Sequence, residues 1–117
     1  MYVDGFIIPV PKNKIDEYKK LAALSGEVWK DCGALSYVES IADDVKSGEH
    51  TSFPQSVKLK DDEIVIFSFI TYNSREERDQ VNEKAMADPR LKDMNNGNFP
   101  FDGKRLIWGG FESFLKL

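Results

Sequence analysis

The sequence predicts an α+β fold, a four-stranded antiparallel sheet with two helices on one face. Three observations predict it: the order of the periodic segments, a middle strand apolar on both sides, and too little helix to cover that strand. The segments read strand, helix, strand, strand, helix, strand, the βαββαβ order of ferredoxin-like folds. In Ile64-Val-Ile-Phe-Ser-Phe-Ile-Thr-Tyr72, residues Ile64, Ile66, Ser68, Ile70 and Tyr72 point one way, and Val65, Phe67, Phe69 and Thr71 the other. Two helices blanket one face only. The other face calls for a second copy, sheet against sheet, so a homodimer is expected, with a small-molecule cavity between the sheets.

Each element has its own signal. The first strand covers residues 2–10 and stops where Pro9 and Pro11 withdraw donors from the ladder. Asn13 is the expected N-cap of a helix whose stripe Ile15, Tyr18, Leu21, Ala22, Ser25, Val28, Trp29 and Cys32 recurs every three or four residues, and Gly33 closes it. Residues 34–42 alternate as a second strand, with Leu35, Tyr37, Glu39 and Ile41 on one side. The long segment 43–63 is polar, with a flexible excursion over 43–53 and a short extra strand expected over 55–60. After the central strand, Ser74-Arg-Glu-Glu77 is a capping box that starts a helix, and Pro89 stops it near Asp88. A polar stretch around Gly97 and the turn Phe99-Pro-Phe-Asp-Gly103 lead to a last strand over 104–114, where Gly109-Gly110 is a candidate bulge.

At 117 residues the chain reads as one domain over 1–117, long enough to bury about two-thirds of its unfolded surface without staples. Sixteen basic against 20 acidic residues leave a charge of −4, which repels phosphate backbones and anionic lipid, so neither nucleic acid nor membrane is an expected partner. There is no run of eighteen apolar residues and no leader-like amino terminus, and Cys32 is the only cysteine; a reducing cytoplasm is the expected location. No phosphate-binding glycine loop, dinucleotide fingerprint or nucleophile elbow occurs, so no cofactor is expected. One histidine and one cysteine cannot supply the usual zinc ligands.

Five stretches carry a resemblance: Tyr2-Val-Asp-Gly-Phe6, Ala42-Asp-Asp-Val-Lys46, Thr51-Ser-Phe-Pro-Gln55, Asp88-Pro-Arg-Leu-Lys-Asp-Met94 and Pro100-Phe-Asp-Gly-Lys-Arg-Leu-Ile-Trp-Gly-Gly-Phe111. Through them the whole chain resembles the YbaA-like family of small bacterial proteins, whose function is unassigned. The resemblance implies a ferredoxin-like protomer of a dimeric α+β barrel. The wider superfamily includes cofactor-independent monooxygenases, isomerases and haem-degrading enzymes, beside members without known chemistry, and it transfers no catalytic residue to this chain.

The candidate ligand-binding residues are polar positions in strands otherwise built for burial: Asp4, Tyr37, Glu39, Ser68 and Arg105. An acid among aromatics, Asp4 between Tyr2 and Phe6 or Glu39 between Tyr37 and Ile41, has a raised pKa suited to moving a proton; the plainer reading is an ion-paired structural acid. Arg105 can grip a carboxylate, or serve as a structural partner of nearby acids such as Asp4. His50 is a loop candidate for proton transfer, set against simple solvation. Cys32 and Trp108 read as packing. Two functions stay open. One is a small-molecule-binding dimer, with cofactor-free monooxygenase or isomerase-like chemistry; the other is a non-enzymatic assembly protein that recruits a partner through 43–63.

Overall fold

The structure, a computed structural model, describes residues 1–92 and 99–117; the stretch around Gly97 lies outside the described residues. Four strands, β1 (Tyr2–Pro11), β2 (Ser36–Ile41), β3 (Glu63–Tyr72) and β4 (Ile107–Glu112), form one antiparallel sheet in the order β2-β3-β1-β4. Between them run α1 (Ile15–Cys32), a short α2 (Phe53–Ser56) and α3 (Arg75–Met86). This is the ferredoxin-like topology, with both long helices against one side of the sheet. No helix among the described residues is long and apolar enough to cross a membrane.

Register decides which side chains share a face. Tyr2 pairs with Tyr72 and Glu112, Asp4 with Ile70 and Gly110, and Phe6 with Ser68 and Trp108; on the far side of β3, Tyr37 pairs with Ile70 and Glu39 with Ser68. Because alternation has period two, the even residues of β1, β3 and β4 and the odd residues of β2 all face the helices. The pairing is continuous through Gly5 and through Gly109-Gly110, so neither glycine site is a bulge.

The helix side holds two packed clusters. Tyr2, Val28, Trp29, Ile70, Tyr72 and Val81 belong to one; Ile8, Val10, Tyr18, Ala22 and Ile66 form the other. Val10, Val28 and Tyr72 are completely enclosed, each stabilising the fold by about 1.5–3 kcal/mol through apolar burial. Gly110 is needed for close approach: a Cβ there would run into the guanidinium of Arg78 and the hydroxyl of Tyr2.

Three local expectations are corrected. Asn13 is not the cap of α1: a 3-10 turn over Lys12–Lys14 precedes the helix, whose N-cap is Lys14, with no side-chain cap bond. The extra strand over 55–60 is instead α2, because Ser52 Oγ accepts from the Gln55 amide at 3.2 Å and Pro54 presets the first turn. The last strand is shorter than 104–114, since Asp102 and Arg105 form a turn ahead of it. The cap of α3 is as read, Ser74 Oγ accepting from the Glu77 amide at 3.1 Å.

The opposite side of the sheet is apolar and uncovered in the single chain. Val3, Ile7, Phe67, Phe69, Ile107 and Phe111 line a concavity of about 580 Å³, and Phe111 is 65% exposed. At one border Phe53 of α2 meets Phe67 edge to face, ring centres 6.0 Å apart.

Candidate functional site

A cavity of about 400 Å³ lies between the sheet and the two long helices. It exists because α1 turns small residues, Ala22 and Ser25, towards the sheet, leaving space that branched side chains would fill. Gly26 lets the ring of Tyr37 lie against the helix, since a Cβ there would sit 2.9 Å from Tyr37 Cδ1. Ile8, Ile70, Leu21 and Leu106 supply apolar wall, and Phe6 and Trp108 stack at 6.4 Å. Trp108, expected in the core, is 58% exposed and stands at the cavity's border because β4 is an edge strand with no further neighbour.

Four of the five strand candidates line this cavity: Asp4, Tyr37, Glu39 and Ser68. They do so from the helix side. They were expected to face a second sheet; register instead turns all four towards the helices, so the half-open cavity they line is built within one chain. Asp4 and Glu39 are two strands and two residues apart, roughly 12 Å between Cα atoms from standard sheet spacing, and they occupy different environments.

Glu39 accepts from the Tyr18 hydroxyl on Oε1 at 2.8 Å and from the Tyr37 hydroxyl on Oε2 at 3.0 Å. Burial pushes its carboxyl above the usual range, outweighing the downward pull of hydrogen bonds from Tyr18, Tyr37 and Ser68. Burial, and next the neighbouring carboxylate, push both phenols up. No lysine or arginine lies within ion-pair distance of Glu39 among the described residues.

Asp4 is 2% exposed and has a countercharge. Arg78 Nε sits 3.2 Å from its Oδ1, close but not aligned as a hydrogen bond. Burial raises the Asp4 carboxyl, while Arg78, Tyr72 and Asn82 pull it back. Asn82 Oδ1 also accepts from Trp29 Nε1 at 3.0 Å, tying α3 to α1.

The other two candidates lie elsewhere. Arg105 does not line the cavity: its Nη1 donates to Glu63 at 2.7 Å and to the Lys58 carbonyl at 3.0 Å, its Nη2 to Glu63 at 2.5 Å, and its Nε to Asp102 at 2.9 Å. Two acids close to it in space, not Asp4, take its charge. His50 is exposed in the 43–52 loop. Sequence reasoning missed Asn82 and Met86 as lining residues. The signal for Asn82 was present, since Arg78, Val81, Asn82 and Ala85 form an inward stripe in which two polar residues stand at i and i+4.

Residues 1–103 match DUF1428, described as "Protein of unknown function (DUF1428)". The chain belongs to the DUF1428 family. Its motifs had pointed to the same relatives: the proteins named "Uncharacterized protein YbaA" of Escherichia coli K12, Escherichia coli O157:H7 and Shigella flexneri are each 48% identical over 114 residues, covering 97% of both chains. Among solved structures, Rv0793 from Mycobacterium tuberculosis aligns with a TM-score of 0.44 and 15% identity over 99% of this chain and 98% of that one.

In this DUF1428 chain burial raises both carboxyls, and Glu39 is the one without an arginine beside it. A raised folded-state pKa means that the folded protein binds the Glu39 proton more tightly than the unfolded chain does, so ionisation of Glu39 weakens the fold as pH rises through that value. Glu39→Gln is therefore expected to stabilise the protein at pH 8 by about 0.5–2 kcal/mol, the usual gain from relieving one unfavourable site. That gain should fade in acid, where wild-type Glu39 is protonated. Thermal melts from pH 4 to 8 check this, and a loss of stability at pH 8 would mark Glu39 as a purely structural acid.

Proposed function

We propose that this protein binds a small, largely apolar molecule in the cavity between its sheet and helices, with Glu39 fixing the molecule's orientation. One observation carries the reading. Of the two acids that line the largely aromatic and aliphatic cavity, Glu39 is the one whose contacts are all hydroxyls, and both of its oxygens accept from phenols on different elements. Such a group receives a donor from a ligand. Tyr37 and Ser68 position that carboxylate, and Asp4 closes the far end of the cavity.

A second reading, proton abstraction as the opening step of isomerisation or cofactor-free oxygenation, draws on the upward shift of Glu39. Two phenol hydrogen bonds weaken a base, which favours binding over abstraction.

In this proposal residues 1–117 act as one domain in a cytoplasmic homodimer closed over the uncovered sheet face. Support comes from the concentration of Phe67, Phe69, Ile107 and Phe111 there, larger in extent than isolated surface apolar residues require. The competing reading as an assembly protein working through 43–63 is weaker, because Phe53 of that segment already packs on Phe67 at the border of the same face.

Native mass spectrometry of the undenatured protein tests both parts together. The wild type is expected as a dimer carrying extra mass, and Phe111→Asp as a monomer that still carries it, because the cavity belongs to one chain. Loss of the molecule together with the dimer would place the site between subunits and overturn this reading.

A further inference from the structure

The charges around the cavity do not balance, and the imbalance identifies a ligand class. Asp4 is matched by Arg78 at 3.2 Å, so the Asp4 end is electrically closed. Glu39 is not matched. From α1 it meets Tyr18, from β2 Tyr37 and from β3 Ser68, all uncharged donors. Glu39 also borders a neighbouring groove of about 470 Å³ that Tyr18, Tyr37, Lys19, Glu27 and Lys30 share with it; the Lys30 ammonium there donates to the Leu35 carbonyl at 2.6 Å, and among the described residues neither lysine reaches Glu39 as an ion pair. Glu39 is half-buried, and a partly desolvated charge that borders a cavity without a countercharge lacks the partner that a ligand can bring.

The walls suit a cation as well. Phe6, Tyr18, Trp29, Tyr37, Phe101 and Trp108 surround the space, and aromatic faces attract ammonium groups through their quadrupoles. Among the described residues no lysine or arginine lines the cavity, so an anionic ligand would meet two acids and no countercharge.

We infer that the molecule held here is a small amine in its protonated form, with its ammonium on Glu39 and a flat apolar body between Phe6, Phe101 and Trp108. This rests on the reading of the cavity as a ligand site and adds the ligand's charge. The Glu39 carboxylate offers lone pairs beyond those that accept from the phenols, so an ammonium proton can be received without displacing Tyr18 or Tyr37. A neutral ligand would leave the acid uncompensated, and binding it would favour protonated Glu39.

Three indole probes of matched shape separate charge from shape: tryptamine (cationic), tryptophol (neutral) and indole-3-acetate (anionic), each titrated calorimetrically into the wild-type protein at pH 7.5. The expected result is tryptamine binding about tenfold or more tightly than tryptophol, with indole-3-acetate the weakest. In Glu39→Gln the ratio of tryptamine to tryptophol should fall to within about twofold. Tryptophol binding as tightly as tryptamine, or indole-3-acetate binding best, overturns the charge assignment while leaving the cavity as a ligand site. Binding by none of the three also overturns it, and the retained mass in native spectrometry then decides the cavity reading separately. The wild-type comparison needs no variant, so a poorly folding Glu39→Gln does not protect the inference.

Discussion

Arg78→Ala is expected to lower the unfolding free energy by about 3–5 kcal/mol at neutral pH, the range for stranding one member of a buried ion pair. The charge left behind would be Asp4, which is 2% exposed and has Arg78 as its countercharge. Arg78 also donates to the Tyr2 hydroxyl at 3.1 Å and lies over the Tyr2 ring at 4.9 Å, so the loss reaches β1 twice. The sign with pH separates charge from packing. Burial already raises the Asp4 carboxyl, and without Arg78 it rises further; the folded variant then gains a proton more readily than the unfolded chain, and its deficit narrows as pH falls. Urea denaturation at pH 7.5 and pH 5 reads this out. An equal deficit at both would assign the loss to packing of Arg78. Asp4→Ala should be milder, since Arg78 keeps Asp79 at 2.9 Å and the Tyr2 ring.

Arg105→Ala is expected to remove about 3 kcal/mol and to loosen one end of the cavity. Glu63 is 6% exposed, and hydrogen bonding from Arg105 holds its carboxyl below the usual value of 4.5. A depressed carboxylate stabilises the fold above its unfolded pKa and loses that contribution as pH falls through the folded one, so the wild type surrenders this advantage below about pH 4.5. Arg105 further joins the Val57 and Lys58 carbonyls to the turn that carries Phe101 and Leu106, both cavity walls. Limited proteolysis should cut the variant within the 53–63 segment and leave Arg78→Ala intact there. Arg105→Lys is not expected to rescue, because one ammonium cannot span two carboxylates and two carbonyls. Full rescue by lysine would reduce Arg105 to a point charge.

Periodicity made the sheet legible. The two-sided apolar pattern of 64–72, the stripe of α1 and the Ser74 cap each have a local cause, so each was readable without knowledge of neighbours. The short helix at Ser52 was missed because weak alternation over 55–60 was weighed above a four-residue cap, although Ser-x-Pro-Gln carries the stronger physics. In the candidate site, alternation sufficed to group Tyr37 with Glu39, but no single-chain pattern says on which side of the sheet the helices lie. The assumption that polar strand residues face a second sheet thus placed these side chains on the side away from the helices, where the register does not put them. Arg105 went astray for another reason: its partners, Glu63 and Asp102, come together only when the 99–105 turn folds back on the start of β3.

The sheet order has a consequence in time. Residues 2–7 pair with residues 107–112, so the two segments that bring Phe6 against Trp108 are separated by almost the whole length of the chain. Until 107–112 have been synthesised, β1 keeps one open edge and the cavity lacks a wall. Contacts of such long sequence separation close late and slow folding, which makes completion of this cavity a late step of folding rather than a by-product of early collapse.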